Sequence, residues 1–242
     1  EYILNGSKIW TTHAHHANRM FCLVRTRRDG KLQEGITFLL LEMDQPGITV
    51  DPIISISGEH ELNQVFFEDA RAPVANRVGE QNDGWTVAKY LLEFERGGGS
   101  SVGLESMLRR VRGVIEAYPE MEPALRQRAA NLAVQIEALL GTEKRVMASL
   151  TRGQAPGPAA SSLKIQRTEL MQRVDQIALE AAGVHSAVQQ LAACVPASNQ
   201  APLGIDQLVT AAPRYLNDRA ASIYGGSNEV QRNIIAKAVL RL

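Results

Sequence analysis

One change of hydrophobic period divides this chain and limits what it can fold into. Up to about Asp69 the apolar residues run in short β-type stretches; beyond Pro73 they recur at helical spacing. Tyr2-Ile3-Leu4 and Lys8-Ile9-Trp10-Thr11-Thr12 flank Asn5-Gly6, and that dipeptide between two such runs predicts a hairpin. Further strands are expected over Met20–Thr26, Gly35–Glu42, Ile48–Ile54 and Leu62–Phe67, with turns at Arg27–Gly30 and Gln45-Pro46-Gly47. Strands punctuated this often suggest an antiparallel sheet, barrel or sandwich.

The second part reads as a bundle. Trp85 to about Tyr118 patterns as one long helix, and Glu122-Pro123 opens another, with Leu125, Ala129, Leu132, Ile136, Leu139, Leu140, Val146 and Leu150 at helical intervals. After the loop at 153–158, Leu163, Leu170, Val174, Ile177 and Ala181 mark a third that stops near Gly183. His185–Ala212 is weakly patterned, helix plus loop. Pro213 opens a short helix to Ser222, and Asn228 with Gln231 suggests a capping box for a last helix to Leu240. The expected class is α+β: a partial antiparallel β domain over residues 1–80, then a four-helix bundle over residues 81–242.

Charge removes several functions. Among 242 residues, 26 Lys and Arg balance 26 Asp and Glu, so no global field draws nucleic acid or an anionic membrane. No apolar run approaches the ~18 residues of a membrane span. Cys22 and Cys194 stand alone, without metal-type spacing, and fit a reducing, cytoplasmic setting. His13, His15 and His16 fall in a turn with no acidic or cysteine partner, so no metal is expected. Glu1 is not an initiator and the chain opens within a strand pattern, as a fragment would.

The densest chemical signal is Glu93-Phe94-Glu95-Arg96-Gly97-Gly98-Gly99-Ser100-Ser101-Val102-Gly103. Three glycines inside a helix cost about 1 kcal/mol each against alanine, so something must come close to the backbone there. At 3.6 residues per turn Glu95 shares its face with Leu91, Leu92, Gly98, Gly99 and Val102. Glu93 instead has Lys89 and Arg96 at salt-bridge spacing. A carboxylate on an apolar face has its pKa raised, as a general base requires. The same spacing also suits a helix-end glutamate that snorkels to water.

Asn5–Thr12, Glu95-Arg96 and Ile223-Tyr224-Gly225-Gly226-Ser227-Asn228-Glu229-Val230-Gln231-Arg232 together resemble the acyl-CoA dehydrogenase family, in its order and rough spacing across the whole chain. The resemblance implies the latter part of the family's middle β domain and its C-terminal four-helix bundle, without the N-terminal helical domain. It implies FAD as cofactor, with Trp10, Thr11 and Thr12 against the isoalloxazine and the Thr12 hydroxyl on N5. Tyr224, Ser227 and Glu229 match further FAD-binding positions. Read alone, Trp10 is more often a core residue and Gly225–Asn228 merely the start of a helix.

The base departs from the common pattern. Many members carry the catalytic glutamate directly after the tyrosine matching Tyr224, where this chain has Gly225. A minority branch places it just before the bundle arginine, where Glu95 stands. The resemblance then implies Glu95 as base, Arg96 and Glu93 as contacts to the CoA portion, and the Gly225 backbone N–H, beside Gly226, as a donor to the thioester carbonyl. Implied partners are an acyl-CoA, an electron-transfer flavoprotein as acceptor, and sister subunits in a homo- or hetero-tetramer, a dimer of dimers. Two motifs are missing: Tyr118–Pro123 lacks the family's arginine-aromatic-glycine, and its glycine-rich diphosphate motif is reduced to Ala181-Ala182-Gly183-Val184-His185. Two alternatives therefore stand: a non-catalytic or half-site subunit of a heteromeric enzyme, and a flavin oxidase or monooxygenase on the same fold.

Overall fold

The structure is a computed structural model that describes residues 1–95, 100–154 and 157–242, and of residues 93–95 and 100 the backbone alone. The chain packs as two compact units, Glu1–Glu95 and Arg96–Leu242.

The first unit holds two three-stranded antiparallel sheets. Strands β1 (Tyr2–Thr12), β5 (Leu62–Ala72) and β4 (Ile48–Ile53) form one in the order β1-β5-β4; β2 (Arg19–Arg25), β3 (Ile36–Glu42) and β6 (Arg77–Val78) form the other in the order β2-β3-β6. Leu4, Cys22, Leu39, Leu41, Val65 and Phe67 make the core. Helix α1 (Gly84–Glu95) packs on β3. It begins so near the strand that a Cβ on Gly84 would sit 2.4 Å from the Phe38 backbone nitrogen.

The hairpin expected at Asn5-Gly6 does not exist. β1 runs straight through it, and its register against β5 slips there instead: Leu4 faces Ala70 and Gly6 faces Phe67. Asn5 alone therefore opposes Glu68 and Asp69, a β-bulge on β5. The Asn5 amide donates to Asp69 Oδ1 at 2.9 Å while Asn5 Oδ1 accepts from the Asp69 N–H at 2.9 Å, and Asp69 takes φ 53°. Asn-Gly was selected here for a bulge, not a turn. The slip shows in the buried residues of β5, which run Asn63, Val65, Phe67 and then Ala70, Ala72.

In the second unit α2 (Ser100–Ala117), α3 (Pro123–Leu150) and α4 (Gly157–Ala182) pack on one another. Leu104, Leu108, Val111 and Ile115 of α2 meet the predicted stripes of α3 and α4, of which only Leu140 and Leu150 are not fully buried. The weakly patterned stretch holds the short α5 (Leu191–Cys194) and 3-10 turns, including Asp206–Leu208. Then follow α6 (Ala211–Asn217), a 3-10 turn over Asp218–Ser222, and α7 (Asn228–Ile235), which continues as a π turn to Leu240. Both α6 and α7 pack on α4, the central helix.

Among the described residues no helix is long and apolar enough to cross a membrane, and no group of three or more His, Cys, Asp or Glu side chains is placed to hold a metal ion.

Candidate active site

In the first unit the candidate residues lie at the far end of β1. A second register slip falls there, where Lys8 faces Val65 and Thr11 faces Asn63, so Ile9 and Trp10 together oppose Gln64. Trp10 takes φ 63°, a conformation that L residues avoid, and remains 61% exposed. The bulge thus carries an indole outward, where a buried core tryptophan would have been inward. Strain of this kind persists only where the surroundings enforce it. Here Asn63, wholly buried on β5, does so: its Nδ2 donates to the Thr11 carbonyl at 3.0 Å. Thr12, next in the strand, is exposed.

Beside these residues a groove of about 630 Å³ opens between β1 and β2, walled by Ile9, Thr11, Thr12, Met20, Phe21 and Leu23. That volume is ordinary for a cofactor or ligand cleft. Mostly apolar walls with threonine hydroxyls at one end suit a flat aromatic ring that needs one polar contact.

The three turn histidines fold over the same end of the strand. His60 Nε2 lies 2.8 Å from Asn63 Oδ1, and His15 Nδ1 lies 3.2 Å from Asn63 Oδ1 and 3.0 Å from its Nδ2. The His15 ring stacks on His60 with centroids 3.9 Å apart, and the His16 ring lies tilted at the same distance. Burial, followed by the charges of His16 and His60, lowers the His15 pKa against the opposing effect of the Asn63 hydrogen bond, and so favours the neutral ring.

In the second unit the candidates gather where the chain enters α7. Gly225 and Gly226 both take left-handed backbone, φ 64° and 85°, and a Cβ on Gly225 would meet nothing within 4 Å. Gln231, fully buried, points its Nε2 back at the Gly225 and Gly226 carbonyls, 3.5 and 3.4 Å away. Among the described residues the Gly225 N–H has no acceptor. An exposed turn whose carbonyls are tied back and whose N–H is unspent is fit to bind an oxygen of a ligand.

The cap of α7 lies one residue earlier than expected. Ser227, not Asn228, is the N-cap, and its hydroxyl accepts from the Val230 N–H at 3.3 Å. Asn228 is buried instead, accepting from Lys164 Nζ at 2.9 Å and pairing with Thr168 of α4. Burial lowers the Lys164 pKa. Glu229 stands in the first turn, where a hydrogen bond from its own backbone N–H, joined by the Ser227 side chain, keeps its carboxyl below the usual range. An ionised carboxylate at that place is an acceptor for hydroxyl groups, which suits a ribose better than a phosphate.

Glu93 and Glu95 lie in the last turn of α1 by backbone, and their side chains, like Arg96 and Gly97–Gly99, lie outside the described residues. Trp10, Thr11 and Thr12 are brought together in the first unit, and Tyr224–Glu229 in the second. The supporting residues Asn63, Asn228 and Gln231 were not assigned these roles from the sequence. Asn63 carries a legible signal, as the one polar residue on the buried Asn63-Val65-Phe67 face.

Two family models match the chain: acyl-CoA dehydrogenase, middle domain, over residues 1–70, and acyl-CoA dehydrogenase, C-terminal domain, over residues 82–240. The chain is 35% identical over 241 residues to the acyl-CoA dehydrogenase IpdE1 of Mycolicibacterium smegmatis, covering 100% of this chain and 58% of the relative. It is 36% identical over 244 residues to IpdE1 of Mycobacterium tuberculosis, covering 60% of that protein. It thus spans about three-fifths of the length of these relatives. Among solved structures it resembles the ChsE4-ChsE5 complex of Mycobacterium tuberculosis, with a TM-score of 0.80 and 26% identity over 100% of this chain and 61% of that one. The Tcur3481-Tcur3483 steroid ACAD, with a TM-score of 0.77 and 24% identity over 99% of this chain and 60% of that one, shares the fold.

Proposed function

The chain belongs to the acyl-CoA dehydrogenase family, as its middle and C-terminal domains, and on that premise we propose that it serves FAD-dependent α,β-dehydrogenation of an acyl-CoA thioester with Glu95 as general base. The observation that carries this reading is the Tyr224–Ser227 turn. Its left-handed Gly225 has no side chain to act as base, its N–H has no acceptor among the described residues, and a Cβ placed there would meet nothing within 4 Å. Such a donor suits the thioester oxygen, on which negative charge develops as the α-proton leaves. The base must then come from elsewhere, and the family resemblance assigns it to Glu95, whose backbone ends α1.

FAD fits the residues present: an outward indole and an exposed threonine hydroxyl beside an apolar groove, and an ionised acceptor at Glu229. Bound there, it supplies the acceptor for the β-hydride at N5. Trp10 keeps water from the ring, and Thr11 and Thr12 orient it. Ser227, Glu229 and Tyr224 hold the remainder. Arg96 and Glu93 contact the CoA portion, with Gly226 leaving its path open. Excluding water keeps Glu95 basic. A cytoplasmic location fits two cysteines outside any disulfide, and an electron-transfer flavoprotein is the acceptor we assign.

A second reading is favoured by the end of α4. Ala181 and Ala182 are buried within the helix where the family has a glycine-rich diphosphate motif, a departure that favours a shared flavin site. A subunit of a heteromeric tetramer that shares its site with a partner fits that change, and one structural relative, ChsE4-ChsE5, is itself a complex of two named proteins. Purifying the full-length protein alone and then with its partner separates the two readings. Stoichiometric flavin in the protein alone, bleached anaerobically by an acyl-CoA, supports the complete enzyme; flavin only in the complex supports the shared site. No bleaching in either preparation contradicts dehydrogenation.

A further inference from the structure

Asn63 of β5, which holds the Thr11 carbonyl, is itself held. It is wholly buried, and its Nδ2 donates to that carbonyl at 3.0 Å. A carbonyl only accepts, so this bond fixes which way the amide faces. Oδ1 then points at two histidines, with His60 Nε2 2.8 Å away and His15 Nδ1 3.2 Å away. The His60 contact is a hydrogen bond when Nε2 carries the ring proton. His15 Nδ1 also lies 3.0 Å from Nδ2, so it donates to the oxygen or accepts from the nitrogen according to its tautomer. His15 comes from the 3-10 turn over Ala14–His16, and His60 from the connection between β4 and β5. Among the described residues these histidines are not placed to share a metal ion.

The backbone held in this way is strained on both sides of the threonines. Thr11 and Thr12 stand between Trp10 at φ 63° and His13 at φ 54°, two left-handed residues that are not glycine. The His13 N–H donates to the Glu61 carbonyl at 2.8 Å, which ties the strand end to the residue after His60. The same Glu61 carbonyl lies 3.4 Å from Asn63 Nδ2 and competes with Thr11 for it. An amide gripped at its oxygen cannot turn toward that competitor; one that has lost its grip can. We propose that His15 and His60 are positioning residues: by clamping the Asn63 amide they keep its bond to the Thr11 carbonyl, and so fix the Trp10–Thr12 end of β1 in the shape that meets the flavin ring. The meeting with flavin rests on the acyl-CoA dehydrogenase reading; the clamp rests on the contacts alone.

Hydrogen exchange at the Thr11, Thr12 and His13 amides of the full-length protein tests the clamp. His60 is exposed, so His60→Leu removes one contact to the amide and spares the core; His15→Leu removes the other. Each should speed exchange at these amides by about 2- to 10-fold, the factor for one hydrogen bond, and leave the opposite end of β1 at Tyr2–Leu4 unchanged. His60→Gln and His15→Asn carry an amide nitrogen at the reach of the ring nitrogen they replace, and should restore the wild-type rates. Unchanged exchange in both leucine variants overturns the clamp. So does loosening in the amide variants as great as in the leucine variants, since the rings would then act by packing alone. Flavin affinity of the same variants separates the two claims. It should weaken by a similar factor with leucine and recover with the amides. If exchange follows this pattern and flavin affinity does not, the clamp stands and the assignment of Trp10–Thr12 to the flavin ring fails.

Discussion

Thr12 ends a strained strand with an exposed hydroxyl, so its loss should touch chemistry and leave packing alone. On the proposed flavin contact, Thr12→Val would remove one hydrogen bond at near-constant shape. A net 0.5–1.5 kcal/mol corresponds to roughly 2- to 10-fold slower flavin reduction. Denaturant midpoints should stay unchanged; an equal loss of stability and rate would make Thr12 structural. Asp175, buried on α4, gives a second prediction, in bulk stability. Burial first, then the charge of Asp218, push its folded carboxyl up to about 7 against an unfolded value near 3.9, so across that window the native state holds the extra proton. Stability from this group is then full below about pH 4, declines as pH rises to about 7, and is flat above. The slope is at most about 1.4 kcal/mol per pH unit, and Asp175→Asn should remove it in urea titrations. At this scale the sequence was legible for the residues that define motifs and opaque for those that hold them. Nothing in Ile9-Trp10 announces a left-handed tryptophan, because the bulge is decided by the Asn63 side chain on another strand.

Elements were legible wherever one periodicity ran unbroken. The stripes of α3 and α4 put nearly every predicted residue in the core, because a long amphipathic helix has only one face to bury. β1 failed as a hairpin because Asn-Gly suits any left-handed or bulged site, and only the Asp69 partner across the strand settles which. The start of α7 shifted by one because Asn228 found better partners in Lys164 and Thr168 than in its own helix. Two substitutions test these elements. Ser227→Ala removes the hydroxyl cap of α7 and should cost about 1 kcal/mol in chemical denaturation. Gly84→Ala drives a Cβ into β3 backbone, 2.4 Å from the Phe38 nitrogen and 2.6 Å from the Thr37 carbonyl carbon, and overpacking of that kind costs about 1–3 kcal/mol. If Gly84→Ala were neutral, α1 would not pack on β3 as described.

At the scale of the whole molecule, the division into a sheet unit and a helical unit was visible in the change of period, since a strand buries alternate residues and a helix every third or fourth. The proposed chemistry is argued at this scale too, because its candidate residues come from the end of β1 and the end of α1 in one unit and the start of α7 in the other. The Gly225 position has lost the carboxylate that much of the family keeps there, and the functional reading stands or falls on Glu95 having replaced it. The direct measurement is anaerobic stopped-flow reduction of the flavin by acyl-CoA in the full-length Glu95→Gln variant, with partner subunit if one is needed. The shape of the side chain is kept and the proton acceptor removed. Acyl-CoA binding should persist, because Arg96 and the Gly225 backbone are untouched, while the reduction rate falls by about 10²–10⁴-fold. Adding Gly225→Glu, into space with no neighbour within 4 Å though at φ 64°, should restore part of that rate. Reduction at near the wild-type rate in Glu95→Gln alone would contradict the assignment of Glu95 as the base.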